Sequence, residues 1–108
     1  MEETEDQSAA LEFLGRAENY DPPPPEAPIH IATHGSHVFL AGDRAYKIKR
    51  AVCFPYMDYG TLERRKTFTR AELDLNRRTA PDLYIGILRL TRDSDGEIDF
   101  NGAGETIE

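Results

Sequence analysis

The chain has 108 residues, of which 39% are apolar, and a net charge of −7; it is long enough for one domain that buries about two-thirds of its unfolded surface and too short for two. A lone cysteine, Cys53, excludes an intrachain disulfide and a cysteine-rich metal site. The acidic start excludes a secretory signal, and no apolar run approaches the roughly 20 residues of a membrane span, so a cytoplasmic protein without a membrane partner is expected.

The charge is unevenly spread. Residues 1–28 carry eight acidic side chains against Arg16 alone, whereas residues 44–92 carry all twelve remaining basic groups against five acids. A basic middle between acidic ends suits a phosphate, and it equally suits a helix with a solvated basic face. No nucleic-acid partner is expected, because no interleaved basic-aromatic stripe occurs elsewhere to extend the run Arg64, Arg65, Lys66, Arg70, which reads as a solvated helix face.

In chain order, MEETED is too charged and too poor in apolar groups to order itself. SAALEFLGRAENY spaces Ala10, Leu11, Phe13 and Leu14 as one short amphipathic helix that ends near Gly15 or Asn19. DPPPPEAP, residues 21–28, removes four consecutive backbone donors and reads as an extended polyproline spacer rather than a partner-binding ligand. Residues 1–28 are thus an acidic N-terminal extension, expected to be dispensable for folding, and residues 29–108 form the folded lobe.

That lobe begins with three short strands. Ile29 and Ile31 alternate with His30, Gly35 marks a turn, Val38 and Leu40 alternate with Phe39, and Gly42-Asp43 marks the next turn. The third strand, 44–49, puts Ala45, Lys47 and Lys49 on one face and Tyr46 and Ile48 on the other. A loop follows, with Pro55 and Gly60 as breakers and Tyr56, Met57 and Tyr59 available to pack against a helix. Thr61 can cap that helix, residues 62–80, whose apolar face is Phe68, Ala71 and Leu75 and which Pro81 stops. DLYIGILRLTR, residues 82–92, reads as a long strand, DSDG as a hairpin turn, and EIDFNG as the returning strand. The predicted class is α+β: a five-stranded antiparallel sheet with one main helix, preceded by the short helix and the proline spacer.

Glu72 gives Lys47 its interest. It lies at the border of the Phe68–Leu75 stripe, and a carboxylate drawn toward a core is costly unless a cation on the facing sheet meets it. A strand lysine held by a helix glutamate, with a small residue two positions before the lysine, is how protein kinases position the α- and β-phosphates of ATP. Ala45 is that small residue. The other reading of the same residues is an ordinary ion pair in a small non-catalytic protein-binding module.

At family level, THGSHVFLAGDRAYKIKRAV and FPYMDYGTLERRKTFTRAELDLNRRTAPDLYIGILRLTRD resemble the start of the bacterial aminoglycoside phosphotransferase-like proteins, over roughly residues 29–100. The resemblance implies a kinase-like N-terminal lobe that binds ATP with Mg²⁺: Lys47 on the phosphates, Glu72 orienting it, and Gly35 and Ser36 covering them from the first turn. Two features depart from the pattern. Gly35 stands without a G-x-G-x-x-G, so cradling would rest on a tight turn, the Ser36 hydroxyl and backbone donors. The sequence also has no H-x-D-x-x-x-x-N and no D-F-G. The implied protein is therefore a nucleotide-binding lobe truncated before its C-terminal catalytic lobe, inactive alone, with no catalytic residue of its own. His30, His34 and His37 crowd within eight positions but lack a completing cysteine or carboxylate, so no metal site is expected.

Overall fold

The structure, a computed structural model, describes residues 6–54, 57–79 and 85–108. Helix α1 spans Ser8–Leu14 and a 3-10 turn spans Ala17–Asn19. Strands β1 (Ile29–Ala32), β2 (Ser36–Ala41) and β3 (Arg44–Lys49) form an antiparallel meander in that spatial order. The β2–β3 turn is closed by Gly42 at φ +62°, a backbone region that favours glycine. A two-stranded ribbon, β4 (Cys53–Phe54) with β5 (Met57–Asp58), replaces the expected loop; Pro55 and Tyr56 lie outside the described residues.

Helix α2 runs Leu62–Thr79, and the Thr61 hydroxyl accepts the Arg64 N–H at 3.2 Å, which is the expected cap. The expected stop at Pro81 lies outside the described residues. The buried face is not the one the apolar spacing predicts. Leu62, Arg65, Thr69, Glu72, Leu73 and Asn76 turn inward, whereas Phe68 and Leu75 are exposed. The inward stripe recurs at three and four residues, but it is mostly polar, and ion pairs rather than apolar area hold it.

The five-stranded sheet is not formed. Strands β6 (Leu90–Arg92), β7 (Ile98–Phe100) and β8 (Glu105–Thr106) make a second three-stranded antiparallel sheet in the order β7-β6-β8, separate from the first. The physical reason is that β7 and β8 occupy both edges of β6, leaving it no hydrogen-bonding edge for the β1–β3 meander. Gly104 permits the β8 pairing, since a Cβ there would stand 2.1 Å from the Arg92 carbonyl oxygen. The long strand expected from residue 82 is also cut short: the described residues before Leu90 are irregular. The β6–β7 turn is a hairpin, in which the Asp93 carboxylate accepts the N–H groups of Asp95 and Glu97 at 2.9 Å and Gly96 takes φ +85°.

The core lies between the two sheets, and α1 supplies the bridge. Ala10, Leu14 and Tyr20 are buried with Phe39, Ala41 and Leu90, and Phe13, Tyr46, Ile98, Phe100 and Ile107 pack around them. Phe13 meets Phe100 edge-on at 5.2 Å between centroids, and Tyr20 lies 4.9 Å from Tyr46. The acidic extension therefore contributes to the core: its few apolar side chains cover the inner faces of sheets that share no edge. Among the described residues no helix is long and apolar enough to cross a membrane.

Candidate functional site: two lysines and a glutamate

Register sets the site. Ile31, Val38 and Lys47 stand opposite one another across the meander, as do Ile29, Leu40 and Ala45, while Ser36 faces Lys49. These residues share one face of the sheet. The other face, led by Phe39 and Ala41, is the one packed on the core. The lysine face is open at the Ala45 end, where Ile29 is 61% exposed and Leu40 and Ala45 are also exposed. It is closed at the other end, where Ser36 and Lys49 are buried.

Glu72 reaches this face from α2 and divides its carboxylate. Oε2 lies 3.5 Å from Lys47 Nζ and Oε1 lies 3.4 Å from Lys49 Nζ. Both separations exceed the roughly 2.7–2.9 Å of a tight charge-assisted hydrogen bond, so the contacts are Coulombic more than directional. The lysines are otherwise unlike. The Lys47 side chain is 46% exposed, while that of Lys49 is 7% exposed and its ammonium sits 4.8 Å from the centre of the Tyr59 ring. Tyr59 is itself held edge-on against Phe68 of α2 at 5.4 Å.

The sequence pairing of Lys47 with Glu72 thus has a geometric counterpart, and Ala45 lies on the same face two residues away. The sequence places Lys49 on that face but gives no sign of its share of Glu72 beyond the two lysines two apart on one strand. The first turn is less open than expected. The Ser36 N–H, a supposed phosphate donor, donates instead to the Thr33 hydroxyl at 3.1 Å, and the Gly35 carbonyl accepts the Arg50 N–H at 2.9 Å. The Ser36 side chain is buried. Its strand position is two residues from Val38, the partner of Lys47, a distance of about 7 Å along the strand.

The histidines act within the meander. His30 Nε2 and His37 Nδ1 share a hydrogen bond of 2.9 Å, and the His30 ring stacks on Phe39 at 4.4 Å; His34 is exposed. Among the described residues no three His, Cys, Asp or Glu side chains gather as a metal site. Cys53 is exposed and unbridged.

Arg65, expected on a solvated basic face, is instead buried. Its Nε and Nη2 donate to the two oxygens of Glu108, each at 2.9 Å, and Nη1 donates to the Tyr59 carbonyl at 3.0 Å. The Gln7 amide joins them, donating to Glu108 Oε1 at 2.9 Å and to the Lys49 carbonyl at 2.9 Å while accepting the Ala51 N–H at 2.8 Å. Two surface cavities, of about 270 Å³ beside Gln7 and Arg65 and about 330 Å³ beside Thr61 and Phe68, lie away from Lys47. A ligand of Lys47 resting on the open sheet face would occupy neither of these two.

With that geometry in hand, the chain is similar to uncharacterized proteins of Mycobacterium bovis and of two Mycobacterium tuberculosis strains, CDC 1551 and H37Rv. Each is 42% identical over 64 residues, which is 59% of this chain and 13% of the relative. The matched stretch is thus about an eighth of the relatives' own length. No family model matches the chain, and no solved structure matches it.

Proposed function

We propose that Lys47 holds a phosphate of a bound nucleotide, in a chain that serves as the nucleotide-holding segment of an ATP-dependent phosphotransferase of the aminoglycoside phosphotransferase-like kind. The full-length relative would pass the γ-phosphoryl group of ATP to a hydroxyl. The observation that supports this is the half-exposed Lys47 ammonium, 3.5 Å from Glu72, at the border of a sheet face whose apolar groups Ile29, Val38, Leu40 and Ala45 are open enough to meet a base. Lys47 would carry the phosphate charge, Glu72 would limit where the ammonium swings, and Ala45 would leave room for the ligand against the strand. Ser36 would not reach this ligand, its N–H being engaged and its side chain buried at the closed end of the face. Magnesium, when bound with the nucleotide, would neutralise charge between the β- and γ-phosphates. No described cluster fits it, and no step is assigned to it.

These residues bind and orient; none is placed to take a proton from an acceptor hydroxyl, so no phosphotransfer is expected of this chain by itself. Calorimetric titration with ATP is expected to give a dissociation constant on the order of 1 mM, about −4 kcal/mol, and Lys47→Ala should abolish it. Binding unchanged by Lys47→Ala would overturn the assignment.

A second reading has its own support. The buried Lys49 on Glu72 is the signature of a structural pair, and the exposed Ile29, Ile31 and Leu40 suit a protein partner. In that case ATP does not bind, and substitution of Ile31 rather than Lys47 abolishes the chain's interaction.

A further inference from the structure

We propose that Lys49 is the standing counter-ion of Glu72, and that by neutralising this carboxylate it leaves the Lys47 ammonium available to an anion. The inference rests on the phosphate-holding reading of Lys47 and assigns Lys49 a positioning role within it. It follows from an asymmetry between two lysines that present the same charge to the same glutamate. Lys49 is 7% exposed, lies over the Tyr59 ring at 4.8 Å and is held at its backbone by the Gln7 amide. An ammonium so withdrawn from water cannot relinquish its carboxylate without leaving a buried charge uncompensated. Lys47 is 46% exposed, and water readily replaces its long contact to Glu72. When an anion arrives, Lys47 is the lysine free to turn to it.

Charge count makes the same point. Two ammonium groups and one carboxylate present a net positive charge to a ligand. Without Lys49, Glu72 would be left to Lys47 alone, and the pair would present none while a bare carboxylate oxygen faced the phosphate. Glu72 would then compete with the ligand for the only nearby cation on this face. Lys49→Met should consequently weaken ATP binding although Lys49 touches no ligand, and removing the charge of Glu72 in the same molecule should restore part of it. A merely structural Lys49 predicts instead that affinity falls and recovers only together with stability, whereas the counter-ion role predicts weakened binding in Lys49→Met chains that remain folded under the titration conditions.

The test is ATP titration of the whole chain in four forms: wild type, Lys49→Met, Glu72→Gln and the double variant, each checked for folding by circular dichroism. Expected is a loss of about fivefold or more in affinity for Lys49→Met and a partial recovery in the double variant, which is relieved of the competing carboxylate but lacks the group that limits the swing of Lys47. Unchanged binding in Lys49→Met, or no recovery in the double variant, overturns the proposal. Reductive methylation of the wild-type amines, read by mass spectrometry, guards against a variant that fails to fold: Lys47 should be modified quickly and be protected by ATP, and Lys49 should resist with or without it. Equal modification of the two lysines overturns the counter-ion assignment. If wild type binds no ATP and Lys47 gains no protection, the phosphate reading itself fails, whereas a Lys49 that still resists upholds its pairing with Glu72.

Discussion

Replacing Arg65 by methionine keeps most of the side-chain volume and removes the guanidinium. The hydrogen bonds lost with it include two to Glu108 at 2.9 Å and one to the Tyr59 carbonyl at 3.0 Å. The Glu108 side chain is only 7% exposed, so its carboxylate loses the Arg65 guanidinium where water scarcely reaches it. Stranding one member of a buried pair costs about 3–5 kcal/mol, a large part of the roughly 5–15 kcal/mol that holds a domain together. In a domain of this size the melting temperature should fall by about 12 °C or more. Removing both charges, in Arg65→Met/Glu108→Leu, should recover most of the loss, because an apolar pair of similar volume has no stranded ion. Urea and thermal denaturation followed by circular dichroism measure both. A cost below about 1 kcal/mol for Arg65→Met, or a double variant no more stable than the single one, would refute the reasoning.

Leu14→Ala should destabilise by about 2.7–5 kcal/mol in urea denaturation, as for a fully buried leucine; a change within about 0.5 kcal/mol would mean that α1 is detached in solution. Lys47→Ala should alter stability by less than about 1 kcal/mol in the same assay, because its ion pair is solvent-screened. Thr61→Ala should cost about 1 kcal/mol through loss of the α2 cap, and Thr61→Asn should cost far less. Burial against the core, and next the neighbouring Tyr46 phenol, push the Tyr20 hydroxyl up to about 12 from its ordinary 10. The folded state therefore resists ionisation that the unfolded chain accepts, so stability should be undiminished below pH 10 and fall between pH 10 and 12; Tyr20→Phe should lessen that alkaline loss.

The parts that could be read from the sequence are those encoded locally. The β1–β3 meander follows from alternation around Gly35 and Gly42, α2 begins where Thr61 can cap it, and the Asp93–Gly96 turn carries its own side-chain acceptor. The Lys47–Glu72 approach was also expected, but from the Phe68, Ala71 and Leu75 stripe, which proves exposed; Glu72 faces the sheet as part of the neighbouring, mostly polar stripe. What was illegible depends on distant partners. Arg65 looks like any solvated arginine until Glu108, 43 positions away, is brought to it. The two-residue strand Glu105–Thr106 has no alternating pattern to reveal it, yet it takes the edge of β6 and so divides one expected sheet into two. The core role of Ala10, Leu14 and Tyr20 was hidden by the acidic composition around them. Lys49 lay between these cases: its face could be assigned, but its burial under Tyr59 needed the tertiary fold.

The hydrogen bond between Gln7 and Glu108 spans 101 positions, and α1 packs on Leu90, Phe100 and Ile107 from the far end of the chain. During synthesis the helix emerges ahead of these partners by an interval on the order of 5 to 20 seconds at ribosomal speed. Throughout it, Leu14 and Phe13 have no second sheet to cover. Such distant closure raises the mean sequence separation of native contacts and slows folding relative to a helical bundle of equal length. The meander, whose partners are near neighbours, needs no such distant closure, so docking of α1 is the expected late step. Substitutions at Gln7 should accordingly quicken unfolding while leaving the folding rate nearly untouched.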